Sequence, residues 1–173
     1  LSRSHQVSNP LKASALKSTE RQRLRLQVDN GVTTDEALIY FDANASNSYD
    51  RYDSPKFEEA NPALQIFTKA DNQQLVINGM STITPNQEIA LGFTAGQANT
   101  FSIKAIETSN FDSGTRIILK DKLMSTEQDI TDGSAYTFAS NVSSSTDRFS
   151  VIFRTSAVTT GLDSNMNNAN GVF

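Results

Sequence analysis

The sequence predicts an all-β domain, an antiparallel β-sandwich of jelly-roll-like type with about nine strands. Three observations favour this class: apolar residues come in short runs, turn residues divide the runs at roughly 8–12-residue intervals, and no window carries a helical stripe longer than two turns. The nine runs are Leu24–Val28, Ala37–Phe41, Leu64–Phe67, Leu75–Ile77, Ile89–Phe93, Phe101–Ile106, Ile117–Leu119, Tyr136–Phe138 and Phe149–Phe153.

The first half of the domain shows why these runs are read as strands. In Leu24–Val28 the apolar residues occupy every second position, as expected for a strand with one buried face, and Asn30-Gly31 then gives a strong hairpin signal. Ala37–Phe41 is the next apolar run. Leu75–Ile77 follows later and is expected to end at a turn formed by Asn78-Gly79.

We expect three segments along the chain. Residues 1–18 are polar, carry Pro10 and form a linker or flexible N-terminal segment. Residues 19–156 form the β-sandwich domain. Residues 157–173 form an Asn-rich flexible linker, because they have too little apolar surface to fold alone. The chain begins with Leu1 rather than Met, so we expect a piece of a longer protein.

Composition excludes several classes of partner and site. A formal net charge of −4 offers no basic face for nucleic acid or anionic lipid. No apolar run approaches the ~18 residues of a membrane span, so we expect no membrane insertion. The chain has no cysteine, which excludes disulfides, thiolate nucleophiles and Cys-ligated zinc.

The segment from Arg116 to Arg154 carries a resemblance. Its pieces, in order, are a strand ending in Leu119-Lys120-Asp121, a short strand closed by Thr131-Asp132-Gly133, the strand Tyr136–Phe138, a variable tip, and a last strand opened by Asp147-Arg148-Phe149. This order resembles the β-sandwich domain found just before the C-terminal sorting domain of large secreted or surface proteins of Bacteroidetes, which the type IX system exports. The resemblance covers roughly Arg21 to Thr155.

The upstream half of the chain adds to this resemblance. Asp35–Phe41 is similar to a family strand with an acidic start, and the loop from Tyr49 to Lys56 is similar to the family's aspartate-aspartate-lysine loop. The resemblance implies an accessory module of an exported protein from a Gram-negative bacterium, located outside the cell or on its surface. Its partners would be neighbouring domains of the same precursor, and a surface glycan or protein is a further candidate.

Catalytic chemistry is poorly supplied. The only histidine, His5, lies in the expected linker, so no histidine of the domain can serve as a base for a nucleophile. A glycosidase would need two carboxylates about 5–10 Å apart in a cleft. The adjacent pair Asp35 and Glu36 is unsuited to this, because neighbours on a strand point to opposite faces. We therefore expect no enzyme and no obligatory cofactor.

The loop from Asp42 to Asp53 is the best candidate for a metal site. Oxygen-bearing side chains fall at alternate positions of a calcium-loop template, and a hard cation takes oxygen ligands. The candidate calcium ligands are Asp42, Asn44, Ser46, Asp50 and Asp53. The alternative is a polar loop after a strand, in which Asp and Asn side chains form local turns.

The same loop holds the candidate ligand-binding aromatics, Tyr49 and Tyr52. A tyrosine ring offers a flat apolar face to a sugar and a hydroxyl for hydrogen bonding. The alternative is that both rings anchor the loop against the edge of the domain.

Two structural ion pairs are expected. Lys56 would pair with Asp50 or Asp53 and fix the loop, since a buried pair of this kind sets geometry more reliably than it adds stability. Asp147 and Arg148, at a strand start, would hold the tip formed by residues 143–145.

These observations leave three functions in order of preference. The first is a non-catalytic structural or adhesion-type accessory module of a larger exported cell-surface or secreted protein. The second is a carbohydrate-binding module that uses the Asp42–Asp53 loop, with or without calcium. The third is a glycan-active enzyme. Binding to a panel of polysaccharides separates the first two.

Overall fold

The computed structural model describes residues 20–57 and 63–155. The regular secondary structure of these residues consists of β-strands. The predicted all-β class is confirmed. The strands are β1 (Arg23–Asp29), β2 (Thr34–Phe41), β3 (Ser54–Pro55), β4 (Leu64–Ala70), β5 (Gln73–Met80), β6 (Glu88–Ala95), β7 (Asn99–Ser109), β8 (Arg116–Asp121), β9 (Thr126–Asp129), β10 (Tyr136–Ser140) and β11 (Ser143–Arg154). Nine of them contain the nine apolar runs. The short β3 and the polar β9 contain none, which is why the predicted count is too low.

The strands join one mixed sheet in the order β10-β7-β1-β2-β5-β4-β6-β11-β8-β9, with β3 beside β5. Strands β2 and β5 are parallel, whereas the other described pairs are antiparallel. The prediction of purely antiparallel pairing is therefore wrong at β2–β5. A parallel pair needs a long connection, and the loop after β2 together with β3 and β4 provides it. The sheet curls until it is nearly closed as a barrel, and a sandwich or jelly roll is not confirmed.

The hydrophobic core lies inside the curled sheet. Leu24, Leu26 and Val28 of β1 are fully buried, because alternate side chains of a strand point to the same face. Across the interior, the ring of Phe93 in β6 lies 5.2 Å from that of Phe101 in β7 and 5.2 Å from that of Phe138 in β10. These edge-on contacts join the two halves of the sheet around one core.

One of the two predicted turns is present. Asn30 Oδ1 accepts the backbone N–H of Thr33 at 2.8 Å, and Gly31 has a φ of +83°, as a tight hairpin requires. The other is wrong, because Asn78 and Gly79 lie inside β5. Gly79 serves a close approach instead: a Cβ there would lie 2.8 Å from the Tyr40 hydroxyl oxygen.

Several predictions fall outside the described residues. These are the linker assignments for residues 1–18 and 157–173, together with His5. Within residues 20–57 and 63–155, no helix is long and apolar enough to cross a membrane.

Candidate functional site

The Asp42–Asp53 loop joins β2 to β3 and is shaped by its own carboxylates. Asp42 Oδ1 accepts the Asn44 backbone N–H at 2.9 Å and the Asn44 side-chain amide at 3.1 Å. The two carboxylate oxygens of Asp50 accept backbone N–H groups of the loop at 2.8 and 2.7 Å. These bonds are the local side-chain turns of the structural alternative. The two bonds from Asn44, chiefly the one from its backbone N–H, lower the pKa of Asp42.

Two side chains fasten this loop to the end of β5. Asp53 Oδ2 accepts the Asp50 N–H at 2.8 Å, and its Oδ1 accepts the Gly79 N–H at 2.9 Å. Asn47 Oδ1 accepts the backbone N–H and the hydroxyl of Ser81 at 3.2 and 3.1 Å. Protein hydrogen bonds therefore set the conformation of the loop.

The five candidate calcium ligands lie in this one loop, but the side-chain oxygens of Asp42, Ser46, Asp50 and Asp53 already have protein partners. Asp42 Oδ2 pairs with Arg21 at 2.6 Å, and the Ser46 hydroxyl oxygen accepts the Ser48 N–H at 3.0 Å. In the described part of the chain, no group of three or more His, Asp or Glu side chains is arranged to hold a metal. Calcium binding stays a prediction, and it requires these side chains to exchange existing bonds for the ion.

The two candidate tyrosines occupy different environments. Tyr49 is 43% exposed, and its backbone N–H donates to Asp71 Oδ2 at 3.0 Å, so its position is fixed while its ring faces solvent. Tyr52 is half-buried: its carbonyl accepts the Tyr40 hydroxyl at 2.7 Å, and the Arg51 guanidinium lies 5.2 Å from its ring centre. Only Tyr49 offers an open aromatic face in this loop.

Lys56 forms an ion pair, but the predicted partners are wrong. Its Nζ donates to Asp35 Oδ2 at 2.5 Å, and only 8% of the Lys56 side chain is exposed. The same carboxylate oxygen accepts the Ile66 backbone N–H at 2.7 Å. The carboxylates of Asp50 and Asp53 accept backbone N–H groups instead. Lys56 therefore joins the start of β2 to the strand after the loop.

The deepest ionic contact joins β8 to β11. The Arg148 guanidinium donates from Nε to Asp121 Oδ1 at 3.2 Å and from Nη2 to Oδ2 at 2.8 Å, a bidentate pair. The two side chains are 9% and 0% exposed. The guanidinium carbon lies 4.6 Å from the ring centre of Phe138 and 4.7 Å from that of Phe149, so two aromatic faces enclose it.

Asp121 binds more than the arginine. Its Oδ1 accepts the backbone N–H groups of Leu123 and Met124 at 3.0 and 3.2 Å, and its Oδ2 accepts the Tyr136 hydroxyl at 3.0 Å. Burial raises the pKa of Asp121, but the bonds from Arg148, Met124 and Tyr136 outweigh it and lower the pKa overall. Burial raises the pKa of Tyr136. The carboxylate thus remains ionised and fixes the β8–β9 turn.

Asp147 and Arg148 do contact the predicted tip. The Ser145 hydroxyl donates to Asp147 Oδ1 at 3.2 Å and accepts the Arg148 backbone N–H at 3.1 Å. The ionic partner of Arg148, however, is Asp121. The expected ion pairing of Asp147 has no counterpart among the ion pairs of the described residues, where Asp147 acts through a hydroxyl.

Glu88, at the start of β6, is a second charged junction. Its carboxylate pairs with Lys120 at 2.5 Å and with Lys122 at 3.3 Å, and it accepts the Ser150 hydroxyl at 3.0 Å. The Lys120 hydrogen bond, supported by those from Ser150 and Lys122, lowers the pKa of Glu88 to about 2.

A surface groove of about 590 Å³ lies beside the Arg148 pair, and we call it the β10–β11 groove. Its lining residues are Lys122, Leu123, Ala139, Ser140, Asn141, Val142, Ser143, Ser145, Asp147 and Arg148. Leu123 and Val142 are each 70% exposed, so two large apolar side chains border it. The groove combines an apolar rim with hydroxyl groups and a buried cation.

Comparison with protein families places the chain. The model of a domain of unknown function, DUF8693, matches residues 3–153, which is most of the sequence. The chain belongs to the DUF8693 family. No curated protein matches this DUF8693 chain. No solved structure matches it either.

Sequence reasoning missed the ion pairs that three acidic residues of this DUF8693 domain form. Asp121 lies at the end of an apolar strand, Asp35 at the start of one, and Glu88 before another, where acidic residues are usually exposed. Nothing in a single sequence tells which of 19 acidic residues is buried. A partial signal was present, because Asp121 follows Leu119-Lys120 in the segment that carries the resemblance.

Proposed function

We propose that this protein is a non-catalytic structural or adhesion-type accessory module of a larger exported protein. The observation that carries the proposal is the use of its enclosed charges. Arg148 and Asp121 bind each other and the β8–β9 turn, and Lys56 joins the start of β2 to the strand that follows. Charges that are paired with each other fix the geometry of a scaffold, whereas a catalytic site needs charged groups that can act on a substrate.

The proposed location is outside the cell or on its surface, with neighbouring domains of one precursor as partners. The support is the resemblance of the segments around Asp121 and Asp147 to domains of type IX secreted proteins. We also infer that the two halves of the curled sheet pack face to face, as in a jelly-roll-like sandwich. The interior contacts of Phe93 with Phe101 and Phe138 support this, because they join opposite halves of the sheet.

The proposal is tested on cells that naturally produce the protein. An antibody raised against residues 20–155 is applied to intact cells and to permeabilised cells, and an antibody to a cytoplasmic protein reports leakage. Labelling of intact cells, or recovery of the product from the medium, is expected. Labelling that requires permeabilisation would contradict the export part of the proposal.

The second candidate is a carbohydrate-binding module, favoured by one observation. Tyr49 is exposed on a loop whose backbone is held by hydrogen bonds to β5 and to Asp71, so its ring is a preformed platform. A polysaccharide panel tests it by calorimetry. Saturable binding that Tyr49→Ala abolishes and Tyr49→Phe retains would establish this function. Equal binding by wild type and Tyr49→Ala would remove it.

A further inference from the structure

The β10–β11 groove lies where a strand is missing from the sheet. β11 pairs with β6 at Ser143–Ser145 and again from Phe149 onward, with an irregularity of the ladder at residues 146–148, and on its other side it pairs with β8 only from Phe149 onward. β8 ends at Asp121, opposite Phe149, and the chain then turns away. The position that β8 would fill if it continued beside residues 143–147 is the groove.

The turn away from the groove is built into the fold. Asp121 accepts the N–H groups of Leu123 and Met124, and Ser125 adopts a φ of +54°, so β8 cannot extend along β11. Because half of the N–H and C=O groups of an antiparallel strand point away from its partner, the first residues of β11 present unpaired backbone groups on the side of the groove. No other described strand pairs with them there.

A second strand edge borders the same space. β10 pairs only with β7 among the described strands, and its Ala139 and Ser140 line the groove. β10 and β11 are joined by the two-residue link Asn141-Val142, yet no ladder forms between them. The groove therefore has backbone groups to satisfy on its β11 wall and an apolar rim formed by Leu123 and Val142.

We propose that this groove binds an extended segment of a partner polypeptide, which adds as a strand along the first residues of β11. An extended chain is the ligand whose backbone can pair with a strand edge, and this mode of recognition uses main-chain bonds for affinity and alternate side chains for specificity. The regularly paired part of this edge, Ser143–Ser145, is about 10 Å long at 3.3 Å per residue, which fits about three residues of the segment, and the irregular residues 146–148 follow it. Every second residue of the segment is apolar and contacts Leu123 or Val142. The inference goes beyond the proposed function and does not depend on export.

The chemistry of the groove argues against a second copy as the occupant. Among the described strands, the sheet ends at β9 and β10. β9 has four polar residues and supplies no apolar side chain for the rim, and β10 exposes only Thr137 and Ala139 because Phe138 is buried in the core. Burying Glu127 and Asp129 of β9 there would break their ion pairs with Arg154 and Arg116.

The test selects from a displayed library of random heptapeptides on the folded chain. Leu123→Glu and Val142→Glu replace the apolar side chains of the rim with charged ones, and we call them the blocking variants. Val32→Glu is the matched control, because Val32 is 87% exposed on the β1–β2 turn and does not line the groove. Melting curves check that all three variants fold.

Enrichment of sequences with alternate apolar residues is expected on wild type and on Val32→Glu, with at least a tenfold loss of affinity on the blocking variants. N-methylation of alternate amides in a selected peptide should cost at least tenfold as well, because it removes backbone donors. Amide resonances of residues 143–147 should shift on binding. Any of three results would overturn the proposal. These are no enrichment on wild type above that on the blocking variants, peptide binding that is insensitive to N-methylation, and a concentration-dependent dimer that occupies the groove.

Discussion

Replacing Arg148 by methionine removes the guanidinium that neutralises Asp121 while keeping an unbranched apolar side chain between Phe138 and Phe149. The carboxylate of Asp121 is fully buried and would lose its only ionic partner among the described residues. Removing one member of a buried ion pair typically costs about 3–5 kcal/mol, because the remaining charge is uncompensated.

The structure places this variant near the lower end of that range. Asp121 keeps its bonds to two backbone N–H groups and to the Tyr136 hydroxyl, and methionine keeps part of the contact with the two rings. We expect a loss of about 3 kcal/mol in the free energy of unfolding. For a domain of this size that corresponds to a fall in melting temperature of roughly 6–12 °C.

The assay is urea unfolding followed by far-ultraviolet circular dichroism, since the chain has no tryptophan. Arg154→Met is the matched control: Arg154 also lies in β11 and is ion-paired, with Glu127, but the two side chains are 40% and 38% exposed. An exposed pair of this kind contributes at most about 1 kcal/mol.

A loss at Arg148 no larger than that at Arg154 would mean that the buried pair contributes no more than the exposed one. A double-mutant cycle gives a second check, because Asp121→Asn removes the negative charge that Arg148→Met leaves without a partner. Asp121→Asn should therefore be less destabilising in the Arg148→Met background than in wild type. Additive losses would mean that the two residues do not act as a pair.

Three further predictions follow from other parts of the fold. Gly92→Ala should destabilise the domain by about 1–3 kcal/mol, because the new Cβ would overlap the Phe67 ring. The control is Gly31→Ala, whose Cβ would meet open space, so this variant should lose only the stability that its backbone strain costs. Equal losses for the two variants would contradict the packing explanation. Glu88→Gln should be less stable than wild type at pH 6 but equal to it once the pH is below 2. Since the folded pKa of Glu88 lies below its ordinary value, its contribution is present above pH 4.5 and disappears as the pH falls through about 2; a difference that persists below pH 2 would contradict the pairing with Lys120. If the Asp42–Asp53 loop binds calcium by exchanging the N–H bonds that its carboxylates accept, the melting temperature should be higher in calcium than in chelator; equal values would contradict the calcium site.

The periodicity of the apolar residues was sufficient to predict nine of the eleven described strands. All nine runs lie in strands because burial of one or both faces is written directly into the local sequence. Pairing is not local. The parallel contact of β2 with β5 depends on a connection that crosses β3 and β4, and no spacing signal reveals it.

The Asn78-Gly79 error has a specific physical origin. The dipeptide is typical of hairpin turns because glycine accepts a positive φ. Here the glycine is needed for another reason, since Tyr40 and Tyr52 approach it too closely for a side chain. A single sequence does not distinguish these two uses of glycine.

The site residues were predicted by type better than by partner. The Asp42–Asp53 loop is an ordered polar element, as its Asp and Asn content suggests. The ionic partners of Lys56 and Arg148 were missed, because Asp35 and Asp121 are 21 and 27 residues away along the chain. Burial of a charge is decided by tertiary structure, and it is visible in the sequence only as a charged residue beside an apolar run.

The size and the location of the native product show whether this domain is part of a larger exported protein. An antibody against residues 20–155 is used on blots of whole cells, the surface fraction and the medium from cells that naturally make the protein. We expect a band well above the 18.9 kDa of this chain, in the surface fraction or the medium. A product near 19 kDa that stays inside the cells would contradict an accessory module of a larger exported protein.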